Sequence, residues 1–226
     1  MAREESAELI LFAGGLSAYN IDLLRAGSSA RIEPLSGSLN ESISGHTPNT
    51  LGIVIAPGDG VAAMKACHLS DGLARAVGSV DSIGFSRNLP GAYGFLALVG
   101  GIVEAVREAA GRRYISGNAH IEAAGPLAWS ALAALTQLRV TGIDAGGDPF
   151  SGAVAHRLGI ELERINVADL VVSGDERGLT LTCDSFVVEP AQVALHTAAA
   201  QLRLFTSREP DVAEMRRVFH RHARRG

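Results

Sequence analysis

Three patterns in this chain have residue types that could do chemistry. Two apolar runs end in glycine turns, GGLSAYN from residue 14 and APGDGVAAMK from residue 56. Turns of that kind open helices whose N-termini carry partial positive charge and can receive a phosphate. Neither matches GxGxxG or GxxxxGK[ST], the spacings dinucleotide and P-loop sites need, so a purely steric role for these glycines stands beside phosphate binding. Histidine is the second pattern: His46, His68, His120, His156, His196, His220 and His222 show no HExxH-like spacing, and no metal site is expected. The third is YISGNAHIEAAGPLAWSALAAL, residues 114–135, which reads as a strand, a tight turn holding His120, and a helix. Enzymes often mount a nucleophile on such a turn, yet no Ser, Cys or Thr stands where this helix begins.

Composition narrows the setting for these turns. The 226 residues are 47% hydrophobic and 19% charged, with 26 glycines, which describes a compact globular chain with many turns. A net charge of -4 argues against a nucleic-acid surface. Arginine gathers only near the end, at Arg208, Arg216, Arg217, Arg221, Arg224 and Arg225. Cys67 and Cys183 are too few for a disulfide framework or a zinc site and fit a reduced, cytoplasmic location. The start, MAREESAELILFAGG, has neither the basic flank nor the length of a signal peptide or membrane anchor.

The elements that would position the turns alternate. Residues 8–15 and 51–60 read as buried strands, each followed by a helix (17–25 and 61–77), with a polar loop over 28–50. A third unit begins near Val80, turns at Asn88 to Gly91, and enters an apolar helix over 93–110. A helix apolar all round is buried, and Gly100 and Gly101 imply that something presses closely on it, either in the core or at a subunit interface. Then come the strand RRYISG (112–117), a helix over 122–138, a strand in VTGIDAGGD (140–148), a strand over 179–189 and a helix over 190–205. Alternation of this kind predicts an α/β fold with a mixed, mostly parallel sheet. Residues 151–178 carry no readable pattern.

In order, these units resemble the N-terminal half of the β-ketoacyl synthases, a thiolase-like fold. The resemblance is carried by LFAGGLSAYNIDLLRAGSSARIEPL, NTLGIVIAPGDGVAAM, FSRNLPGAYG and RVTGIDAGGDPFSG, and spans about residues 8–205. Where that family has its nucleophilic cysteine this chain has GNAHIEAAG, with Glu122, or Ile121 if the loop is shifted by one, at the nucleophile position. The family's catalytic histidines and lysine would lie in a C-terminal half that has no counterpart here.

The resemblance therefore implies a thiolase-like half domain over 1–206 and a basic tail or short helix over 207–226. It implies a non-catalytic chain-length factor of a type II polyketide synthase, polyenes included among its products, and no cofactor. The partner would be a full-length ketosynthase, with an acyl carrier protein engaged indirectly and neither nucleic acid nor membrane involved. Tyr93, Phe95, Leu98 and Ile102 would line the acyl-chain pocket, and Arg113, Tyr114, Ile115, Ser116 and His120 would form the interface along the RRYISG strand. Glu122 either takes a buried role at that interface or starts a helix, where an acid suits the dipole. The alternative from the residues alone is a stand-alone α/β enzyme or nucleotide-binding protein using the glycine turns.

Overall fold

Strands of two to six residues, joined by turns and short helices, build two separate sheets. The computed structural model describes residues 9–86 and 90–223. The first lobe runs β1 (Ile10–Gly14), α1 (Ala18–Gly27), β2 (Arg31–Pro34), α2 (Leu39–Ser44) and β3 (Thr50–Ile55). After a short 3-10 turn, Pro57–Asp59, come α3 (Gly60–Ala66), β4 (Leu69–Ser70), α4 (Gly72–Val77), β5 (Ser82–Phe85) and β6 (Ala92–Phe95). Its six strands lie in the order β2-β1-β3-β5-β6-β4, with β1 parallel to β2 and β3 and β5 antiparallel to β3 and β6.

Helix α5 (Leu98–Ala110) leads to the second lobe. There β7 (Asn118–Ile121), α6 (Gly125–Gln137), β8 (Gly142–Asp144), α7 (Ser151–Leu158), β9 (Leu170–Asp175), β10 (Gly178–Cys183) and β11 (Phe186–Val188) form a five-stranded sheet ordered β11-β10-β9-β7-β8. Strand β7 is parallel to both neighbours, and β9, β10 and β11 form an antiparallel meander. The chain then returns: α8 (Pro190–Thr206) packs on α1, α5 and β3, and α9 (Val212–Ala223) packs on α1.

Two helices hold the lobes together. Along α5, Val99, Ile102, Val103 and Val106 are buried, and a Cβ added at Gly101 would come within 2.7 Å of the Thr197 backbone nitrogen. That close approach of α8 is what presses on Gly101, while Gly100 meets nothing within 4 Å, so α5 is buried by its own chain. Helix α6 sinks Ala128, Ala131, Leu132 and Leu135 completely. Among the described residues no helix is long and apolar enough to cross a membrane.

The mixed α/β architecture agrees with the sequence, while several elements differ. Residues 93–110 are not one helix: Tyr93 and Phe95 lie in β6, and the helix starts at Leu98. RRYISG is not a strand, because pairing begins only at Asn118. The helix expected over 61–77 is split into α3 and α4 by β4, and Asp71 starts α4 by accepting from the Ala74 N–H at 2.6 Å. The polar stretch 28–50 contains β2 and α2, and α2 is fixed by a reciprocal pair of bonds between Ser38 and Glu41. The expected turn at Asn88 falls partly on residues 87–89, and Arg224 and Arg225 lie beyond residue 223; both are outside the described residues.

Candidate functional site

Strands β1 and β3 stop level with each other, Gly14 opposite Ile55. The segments that leave them, Gly15 to Asn20 and Ala56 to Gly58, form one wall of a cleft of about 1040 Å³. The turn between β9 and β10 and the start of α8 form the opposite wall, and Asp81, Leu98 and Gln201 also line it. Glycine is required at position 15, where φ is +68° and an added Cβ would sit 3.1 Å from Asp59 Oδ2. At Gly178, where φ is +131°, an added Cβ would sit 3.4 Å from the Cβ of Pro190.

Asp81 is the buried acid of this cleft, 2% exposed. Its carboxylate accepts from the Ser82 hydroxyl at 2.6 Å, the Ala97 N–H at 2.9 Å and the Leu98 N–H at 2.6 Å. The last two are orphan donors at the start of α5, which has no cap from its own flanking residues, so β5 supplies one across the fold. Burial raises the Asp81 pKa above the ordinary carboxylate range, against the opposing effect of these hydrogen bonds. A carboxyl in that state can hold a proton or give one up beside a ligand.

Around it the cleft is acidic: Asp175, Glu176 and Glu189 line it together with Asp81, against Arg177 as the lining guanidinium. Neutral polar groups complete the surface, among them Ser17, Tyr19, Asn20, Thr180 and Gln201. The Tyr19 hydroxyl donates to the Ala191 carbonyl at 3.0 Å, and burial raises the Tyr19 pKa, so this group stays protonated.

A second strand-turn-helix lies in β7, residues 122–124 and α6. Here Gly125 has φ of +61°, and its N–H donates to Asp148 Oδ1 at 3.2 Å. Asp148 Oδ2 also accepts from Trp129 Nε1 at 2.7 Å, Ser151 Oγ at 3.0 Å and the Phe150 N–H at 3.2 Å. At the end of β8, Asp144 Oδ2 lies 3.4 Å from His120 Nδ1, without hydrogen-bond geometry.

The structure disperses the residues singled out from sequence. Leu98 lines the cleft, Ile102 is in the core of α5, and Tyr93 and Phe95 sit half-buried in β6, with the Tyr93 hydroxyl on the Pro90 carbonyl. Arg113, Tyr114 and Ser116 are exposed in the segment before β7, where Arg113 and Arg139 lie over the Tyr114 ring, and Ile115 is buried. His120 is half-buried on β7, Ile121 is buried, and Glu122 is exposed, which removes any buried role for that acid. Sequence reading missed Asp81 and Asp148. The Asp148-Pro149 pair is a readable turn signal, but Gly125 and Trp129, like the Ala97 and Leu98 donors to Asp81, lie 16 to 23 residues from the acid they bind.

No family model and no curated protein matches the chain. Solved structures do. The shikimate dehydrogenase of Mycobacterium tuberculosis superimposes with a TM-score of 0.77 at 15% identity, covering 95% of this chain and 99% of that one. The quinate dehydrogenase of Corynebacterium glutamicum in complex with NAD gives 0.74 at 16% identity, with the same coverage. The ligand-free 5-ketofructose reductase of Gluconobacter sp. strain CHM43 gives 0.71 at 11% identity, covering 96% and 99%. The fold is thus that of these two-lobed dehydrogenases, and the thiolase-like half domain is overturned. With it fall the chain-length-factor reading and the expectation of a non-catalytic protein, since the structures sharing this fold over nearly their whole length are enzymes.

Proposed function

We propose that this chain is a stand-alone small-molecule enzyme that takes an uncharged, polyhydroxylated alcohol or ketone into the cleft between its lobes. The observation that carries the reading is the lining of that cleft, where Asp175, Glu176 and Glu189, besides the buried Asp81, stand against Arg177 as the one guanidinium among the described residues. A carboxylated or phosphorylated ligand would enter against like charge, whereas hydroxyl groups find both acceptors and donors there. One neighbour, the 5-ketofructose reductase, is named for an uncharged polyhydroxylated ketone, whereas shikimate and quinate carry a carboxylate beside their hydroxyls. Within this reading Asp81 exchanges a proton with the ligand, while Asn20, Thr180 and Gln201 read its hydroxyls.

Three similar structures are named in complex with NAD, NADP(H) or NADP+, and the βαβ unit of the second lobe is where a dinucleotide would be sought. The residues present do not fit it: the turn reads Glu122-Ala123-Ala124-Gly125-Pro126, and Asp148 already takes the Gly125 N–H. No reaction step is therefore derived through a dinucleotide.

The test is thermal unfolding with 5-ketofructose, shikimate and quinate, each added alone. A bound ligand at about a hundred times its Kd stabilises by roughly 2.7 kcal/mol, several degrees in a chain of this size. The uncharged ketose should raise Tm, and Gln201→Leu should abolish the rise. Stabilisation by the two carboxylates without any by the ketose would refute the assignment.

A further inference from the structure

A dinucleotide-binding βαβ unit needs glycines that let its first turn approach the pyrophosphate and N–H groups left free at the helix start. β7, α6 and β8 reproduce the outline, and Asp144 ends the second strand about twenty residues after Gly125, where such units hold a ribose hydroxyl. The turn breaks the pattern at each step. Glu122 adds a negative charge, and Ala123 is buried tightly enough that its Cβ lies 2.8 Å from where a Cβ on Gly174 would be. Pro126 has no N–H to offer in the first helical turn.

We propose that Asp148 is a built-in anion that occupies the pyrophosphate seat at the start of α6 and closes the second lobe to nicotinamide dinucleotides. Its two oxygens are held by Gly125, Trp129, Phe150 and Ser151, so the carboxylate joins the start of α6 to the start of α7. Burial pushes the Asp148 pKa up, but the hydrogen bonds from Trp129, Gly125, Ser151 and Phe150 outweigh it and leave the group charged at neutral pH. An arriving pyrophosphate would compete with this charge for the same donor and be repelled by it. This seat in the second lobe is separate from the cleft and its ligand.

The chain supplies its own reporter, since Trp129 is its single tryptophan and donates to Asp148. Indole emission of the whole protein is titrated with pyrophosphate, NAD+ and NADP+, for the wild type and for Asp148→Asn, which keeps an acceptor and removes the charge. The wild type should show no saturable change up to roughly 5 mM, and the variant should gain a pyrophosphate response at least tenfold stronger. Saturable quenching of the wild type by NAD+ or pyrophosphate would overturn the proposal. So would an Asp148→Asn protein with wild-type circular dichroism that stays as unresponsive as the parent. Should that variant fail to fold, Asp148→Ser supplies the same comparison. Ligands of the cleft are read by Tm instead, so either conclusion can fail alone.

Discussion

Replacing Asp81 by Ala and by Asn separates what its carboxylate does for α5 from what its charge does in the cleft. Alanine strips two backbone N–H groups of their acceptor and leaves the Ser82 hydroxyl, itself fully buried, without its partner. A lost cap costs about 1–2 kcal/mol and an orphaned buried hydroxyl about 1–2 kcal/mol more, so the net loss should be near 3 kcal/mol. For a chain of this size that is a fall in Tm of roughly 6–12 °C. Asparagine keeps one acceptor oxygen, enough for the Ala97 N–H and the Ser82 hydroxyl on Oδ1 but not for the Leu98 N–H on Oδ2, so it should cost about 1–2 kcal/mol, less than alanine.

Charge then shows in the pH dependence. Because the folded-state pKa of Asp81 is raised, the native protein holds a proton that the unfolded chain releases. Wild-type stability should fall as pH rises from the ordinary Asp range through the raised value, and Asp81→Asn should lose that slope. Urea unfolding followed by circular dichroism between acid and neutral pH measures both effects. An alanine variant within about 1 kcal/mol of wild type would refute the capping argument, and an unchanged slope in Asp81→Asn would refute the protonation argument.

The other expected outcomes concern packing and the tail. Gly101→Ala should destabilise by about 2 kcal/mol, because overlap with the Thr197 backbone outweighs the roughly 1 kcal/mol gained in helix propensity. Gly100→Ala next to it meets nothing within 4 Å and should stabilise by about 0.5–1 kcal/mol, and urea midpoints compare the two directly. Arg216 forks onto Glu108 with both contacts at 2.8 Å, and His196 lies 3.0 Å from the same carboxylate. The Arg216 bonds lower the Glu108 pKa and burial lowers that of His196. Stability from both groups should therefore be present near neutral pH and lost as pH falls through the His and then the Glu range. Glu108→Gln should flatten the acid side by about 0.5–1 kcal/mol, the partners being substantially exposed.

What could be read in the sequence was local. The apolar runs ending at Gly14 and near Ile55 announced two strands, and Pro190 marked the start of α8. β6 was hidden because Ala92 to Phe95 runs into the equally apolar start of α5 with no change of composition. For α2 a signal was available, since Ser38 and Glu41 have the spacing of a capping box. The ketosynthase likeness misled because glycines at the ends of parallel strands arise wherever a chain must turn closely, whatever the family. Phe150 and Ser151 stand two and three residues after Asp148 and were open to a local reading, but Gly125 lies 23 residues before it and the α5 donors to Asp81 lie 16 and 17 residues after that acid, so no window of sequence displays those bonds.

The return of residues 190–223 to the first lobe has a bearing on how the protein is made. Leu11, Leu23 and Leu24 bury themselves against Leu195, Leu202, Met215 and Val218, so the interior begun by β1 and α1 is closed by α8 and α9, made about 180 residues later. On a ribosome, the meander and βαβ unit of residues 118–188 can settle while the opening strands still wait for their cover. Nascent β1 and α1 thus stay greasy surfaces until residues 190–218 have been made, which makes them the natural place for a chaperone to hold.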